Sequence, residues 1–185
     1  MARGRAGPGR EPGFSPPRWA WWLLGLALLG VAGAVASQWI AAHRRPAGIE
    51  VYFVVRGAGR TGSLVPVHRP APAGPTEVRL ETALRALLSG PHDARLHTEI
   101  PQGTALLGVG VRDGVVTVDV SPTFASGGGS TSMLGRVWQV VYTATQFPDA
   151  PAVQILINGR RVEALGGEGI LIGAPLRRPE VPPSF

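Results

Sequence analysis

The spacing of apolar residues along the chain changes from helical to alternating and back, and the changes mark out its elements. Residues 133–148, MLGRVWQVVYTATQFP, place Leu134, Val137, Val141 and Ala144 at helical intervals with Met133, Val140 and Phe147 beside them. That spacing predicts a core helix with one broad buried face. The stretch 126–132, with glycines 127–129 and four flanking hydroxyl residues, reads as a flexible lead whose hydroxyls can accept from the free N–H groups of the first turn. Pro148 stops the helix. A second helix is predicted over 76–90, with Thr76 as N-cap, Glu77 near the positive helix start, and Val78, Leu80, Leu84, Leu87 and Leu88 as its buried stripe. Gly90 and Pro91 end it.

Strand-length apolar runs fill the rest. Residues 49–56, IEVYFVVR, are apolar on both faces for part of their length and predict a central strand; 64–69, with Pro66 inside, predict an edge strand. Asp113-Gly114 between the runs 105–111 and 115–120 is the strongest hairpin signal in the chain. A further strand is expected over 152–158, turned by Asn158-Gly159 towards Arg161 and Val162, and a last short apolar run at 170–172. The order β, β, α, β-hairpin, α, β predicts an α+β domain over 49–175, a mixed sheet with two helices on one face, followed by a loose Pro-rich tail at 176–185.

Ahead of this domain, 19–40 hold only Ser37 and Gln38 as polar members, a length that crosses a bilayer as a helix, with Trp19, Trp21, Trp22 and Trp39 at its ends. Arginines 3, 5, 10 and 18 precede it and Arg44 and Arg45 follow, so the positive-inside rule puts a basic tail, 1–18, in the cytoplasm and the domain outside, beyond a linker at 41–48. The competing reading is a cleaved signal, with Ala34-Val35-Ala36 as its site. The membrane segment also accounts for the charge. The chain carries +6 overall, yet residues 46–185 hold 12 arginines against 11 acids, so no nucleic-acid-binding face is expected on the domain. The 26 glycines and 18 prolines concentrate in 1–17, 57–75, 126–129 and 166–183, which leaves the middle a normal globular pattern.

The chain has no cysteine, which excludes disulfides, thiolate metal sites and a cysteine nucleophile. His92, Asp93, His97 and Glu99 resemble metal ligands by type, but their spacing matches no metal motif, and a solvated loop is the simpler reading. Asp119 and Ser121, with Asp113, could be proposed as an acid and a nucleophile. Asp119 alternates against Val116, Val118 and Val120, which makes it a polar-face or strand-end residue. The loop 126–132 lacks the Gly-Lys-Ser/Thr of a phosphate cradle. No catalytic, cofactor or metal site is therefore expected. Gln139, Thr143 and Gln146 fall on one stripe of the 133–148 helix, beside Trp138 and Tyr142. The stripe is either a half-exposed polar face or a contact surface for a partner or a second copy.

The runs Val51-Tyr52-Phe53, 64–67 (LVPV), 87–91 (LLSGP), 100–104 (IPQGT), 113–121 (DGVVTVDVS) with Phe124, 139–148 (QVVYTATQFP) and 155–159 (ILING) together resemble the GerMN domain, a module of sporulation and germination proteins and of envelope lipoproteins. The resemblance implies a non-enzymatic, envelope-exposed domain with a fold similar to ring-building motifs. In sporulation members it implies a scaffold role in the complex joining mother cell to forespore. The chain departs from that pattern in having one such domain and no cysteine for lipid attachment. The expected function is a membrane-anchored scaffold or interaction domain, its partner an envelope protein or a second copy. The alternatives are a module binding cell-wall glycan or peptide and, third, an envelope hydrolase.

Overall fold

A computed structural model of the chain describes residues 48–56, 62–166, 169–179 and 185. The anchor or signal expected over 19–40 lies outside them. Among the described residues no helix is long and apolar enough to cross a membrane.

The elements run β1 (Gly48–Arg56), β2 (Gly62–Pro70), α1 (Thr76–Leu88), β3 (Leu96–His97), β4 (Leu106–Arg112), β5 (Val115–Val120), a 3-10 turn (Pro122–Ala125), α2 (Ser130–Ala144), β6 (Ala152–Ile157), and the two-residue strands β7 (Ala164–Leu165), β8 (Ile170–Leu171) and β9 (Leu176–Arg177). This is the expected α+β class, with its strands divided between sheets. One has the order β2-β1-β3, a second β4-β5-β6-β9, and β7 and β8 form a small third. The second sheet is mixed, because β5 and β6 run parallel while its other pairs are antiparallel. Parallel neighbours need a long crossover, and α2 supplies it.

Helix α1 packs on β1 and β4, and α2 packs on β1, β6 and α1, so the two helices join the two larger sheets through one core. Val51, Phe53, Leu80, Leu84, Leu87, Val116, Val118, Val141 and Ile155 sit in it, each at most 1% exposed. Full burial of such a side chain contributes about 1.5–3 kcal/mol before entropy is counted. As its composition predicts, β1 is buried on both faces.

Both short turns follow the sequence. Asp113 and Gly114 have φ of 51° and 76°, and Asn158 and Gly159 have 53° and 74°. Two successive positive values define the primed hairpin turn that Asp-Gly and Asn-Gly favour. Helix ends differ more. Pro75, not Thr76, occupies the N-cap of α1, and Thr76 Oγ1 donates to Asp149 Oδ2 at 2.7 Å. Val78, expected in the buried stripe, is 42% exposed. Helix α2 begins at Ser130, with Gly129 as N-cap and no side-chain cap.

Candidate functional site

The polar stripe of α2 lies inside the domain, against the edge of β1. The Glu50 N–H donates to Gln146 Oε1 at 2.8 Å, and Gln146 Nε2 donates back to the Glu50 carbonyl at 2.9 Å. These are the two bonds of a β-ladder rung, made by an amide side chain. Two residues on, the Tyr52 N–H donates to Thr143 Oγ1 at 3.1 Å and Gln139 Nε2 donates to the Tyr52 carbonyl at 3.0 Å. Gln139 Oε1 accepts from the Glu99 N–H at 2.8 Å and from Thr98 Oγ1 at 3.3 Å, which carries the ladder into the strand segment beyond β1. At Val54, β3 takes over, pairing through His97. Buried backbone groups must find partners, and here a helix provides them where no strand does.

This placement corrects both sequence readings of the stripe. Gln139 and Thr143 are 0% exposed, Gln146 and Tyr142 5%, and only Trp138 is partly open. Spacing had placed the three polar residues on one line. It could not say that the line faces a strand edge.

A cation sits beside this ladder. The Arg178 guanidinium lies 5.1 Å from the Tyr52 ring centre and 5.0 Å from that of Tyr142, and the two rings are 5.2 Å apart. Arg178 also donates to the Tyr142 carbonyl, to Thr145 Oγ1 at 3.1 Å and to Tyr52 Oη at 3.4 Å. Trp138 meets Tyr142 edge-on at 6.4 Å. Tyr52 Oη donates to Glu50 Oε2 at 2.7 Å. Burial, reinforced by that bond, pushes the Tyr52 pKa up to about 12 against the opposing pull of Arg178. Burial likewise raises Tyr142. Arg178 belongs to the stretch expected to be loose, yet β9 pairs with β6 immediately before it. The only signal in the sequence is Leu176 followed by two arginines.

The remaining candidates do not converge on one site. Arg95 grips Asp93 through Nε, Nη2 and its own N–H, and these bonds hold the carboxyl at about 2. His97 Nε2 pairs with Glu99 Oε1 at 3.0 Å. No group of three metal-binding side chains converges among the described residues. Asp119 Oδ1 accepts the Gly159 N–H at 2.8 Å, holding the Asn-Gly turn, and Ser121 Oγ accepts the Ala105 N–H at 3.0 Å. Each is occupied with backbone.

The glycine-rich lead into α2 is gripped rather than flexible. Arg136, 2% exposed, donates to the carbonyls of Phe124, Ser126 and Gly127 at 2.8–3.0 Å and to Ser132 Oγ at 3.1 Å. Its desolvation lowers the guanidinium pKa, partly offset by the charge of Glu99. A cavity of about 320 Å³ opens at this helix start, lined by His97, Glu99, Gly129 and Ser130–Ser132 among others. A second, of about 280 Å³, lies over Phe53, Val67 and Leu96.

The fold has known counterparts. The first GerMN domain of the sporulation protein GerM from Bacillus subtilis superposes with a TM-score of 0.59 at 24% identity, covering 72% of this chain and 98% of that one. The tandem GerMN domains of the same protein give 0.57 at 21% identity, covering 71% of this chain and 45% of theirs. A candidate lipoprotein from Clostridium perfringens gives 0.53 at 21% identity, covering 70% and 86%. No curated protein sequence matches the chain. The model of the Germane family, described as sporulation and spore germination, matches residues 50–163. That span runs from the first rung of the side-chain ladder to the residue before β7, and the chain belongs to the Germane family.

Proposed function

We propose that the chain is a membrane-anchored, extracytoplasmic interaction domain, a non-catalytic scaffold in the assembly of an envelope complex of sporulation or germination. The observation that carries this reading is the Germane match over 50–163, in a family described by sporulation and spore germination. The apolar segment 19–40 supports the anchor, and the lipoprotein among the structural relatives points to the same compartment. Internal use of the polar side chains supports a scaffold over an enzyme, because Asp119, Ser121, Gln139, Thr143 and Gln146 hold backbone groups. Tethering to a membrane raises the effective concentration of the domain for weak partners, so a small interface is enough.

The test is crosslinking of the full-length protein in cells, followed by affinity capture and mass spectrometry. Enrichment of one or a few envelope proteins is the expected result. Recovery of wall fragments alone would replace the scaffold with the wall-binding reading, in which Tyr52, Tyr142 and Trp138 are the aromatic surface that Arg178 now covers.

A further inference from the structure

One long edge strand in each larger sheet, β2 and β4, presents its outer edge differently. On β1, the N–H and carbonyl groups of Glu50 and Tyr52 point to α2. Their partners across the sheet, His68 and Pro66, therefore direct their own backbone groups outward, as do Leu64 and Pro70 on the same alternation, while Gly62 at the strand start exchanges its backbone bonds with Phe185. Two of these four outward positions are proline and offer no N–H, a common way to keep an edge from pairing.

Strand β4 has no such guard. The two-residue turn at Asp113-Gly114 makes Arg112 and Val115 a hydrogen-bonded pair, and alternation makes Gly110–Thr117 and Gly108–Asp119 pairs of the same kind. Val109 and Val111 then direct N–H and carbonyl outward, and among the described residues no strand pairs with that edge. Both valines pack only partly against the core. The opposite sheet face is bare here, because Gly108 and Gly110 carry no side chain and a Cβ at Gly110 would meet nothing within 4 Å.

We infer that the β4 edge is a docking edge for a second copy of this chain, two β4 strands meeting antiparallel about a two-fold axis at Gly110. The register is self-complementary. Val109 stands opposite the partner's Val111 and Val111 opposite the partner's Val109, so four backbone bonds form and the valine row of the inner face continues across the axis. Arg112 stands opposite the partner's Gly108, where no side chain obstructs it, and can reach over that glycine to the partner's Asp119, which pairs with Gly108 one strand further in. Both arginine–aspartate contacts are of opposite sign. The irregularity between Leu106 and Gly108, with Leu107 half exposed, ends the pairing on the other side. This inference rests on strand geometry and stands apart from the scaffold reading.

The test uses the absence of any native cysteine. In this register Gly110 and its symmetry mate form a non-hydrogen-bonded pair with Cα atoms about 4.5 Å apart, within disulfide reach. The full-length Gly110→Cys chain, treated with a mild oxidant in the expressing cells, should convert largely to a covalent dimer of itself. Thr117→Cys, on the same face one strand in, should not, since its symmetry mate would be roughly 15 Å away. Adding Arg112→Glu to Gly110→Cys should abolish the dimer by setting two acids together. Arg112 is exposed at the strand end, so that change leaves the fold intact. Monomeric Gly110→Cys, a crosslink to a different protein, or a dimer unaffected by Arg112→Glu would each overturn the proposal.

Discussion

Helices α1 and α2 have similar lengths, 13 and 15 residues, and opposite relations to water. Helix α1 buries Leu80, Ala83, Leu84 and Leu87 and turns Glu81 and Arg85 outward, where they form an exposed i, i+4 pair at 2.7 Å. Helix α2 is buried nearly all round from Gly135 to Ala144, including Arg136, Gln139 and Thr143. A helix buried on every side is ordinarily apolar on every side. Helix α2 is not, because one of its faces completes a strand edge. Most polar side chains on α1 meet solvent, Arg79 on the Gly48 carbonyl and the Phe147 ring apart, and those on α2 replace a missing strand.

Substitutions should separate the two helices. Val141→Asp puts an unpaired charge at a position 0% exposed, and should cost more than about 4 kcal/mol and abolish cooperative unfolding by circular dichroism. Gln139→Leu keeps the volume but strands the Tyr52 carbonyl and the Glu99 N–H, each at about 1–3 kcal/mol, and should lower the denaturant midpoint accordingly. Thr143→Val removes one acceptor from the Tyr52 N–H and should cost about 1–2 kcal/mol in the same titration. If either polar substitution proves neutral, the stripe does not hold β1. On α1, Arg85→Ala should shift the midpoint by less than about 0.5 kcal/mol, as exposed i, i+4 pairs do.

A pH titration sharpens the same contrast. Tyr52 has a folded pKa raised to about 12 from an ordinary value of 10, so the folded state keeps a proton that the unfolded chain releases first. The stabilisation is complete below pH 10 and is lost as pH rises through about 12. Tyr52→Phe should flatten the alkaline fall in thermal midpoint over that window and leave its slope near neutrality unchanged.

Much of the fold was legible because local rules and tertiary demands agree. Asp113-Gly114 turns as its residues require, Gly90 ends α1 with φ of 84°, and the apolar spacing of Val137, Val141 and Ala144 marks a face that is buried. The candidate site was legible only as a list of residues. Periodicity reports that Gln139, Thr143 and Gln146 are collinear, and polarity argues that they face water. The deciding fact is an unpaired edge on β1 some 90 residues earlier, which no local window contains. Arg136 and Arg178 were missed for the same reason, since their partners are backbone carbonyls and ring faces brought together only by folding. Strands β3 and β9 are two residues each, too short for alternation to show.

The side-chain ladder also imposes an order on biosynthesis. Strand β1 is among the first parts of the domain to leave the ribosome, and the residue that closes its first rung, Gln146, lies 96 positions later. At about 5–20 residues per second, the apolar run from Val51 to Val55 waits roughly 5–20 s with that edge open. Throughout the interval it is a template for any extended chain nearby. A chaperone or export factor that holds unfolded segments would therefore matter most for the amino-terminal third of the domain, although the contacts that finally protect it come from α2 and the residues just after it.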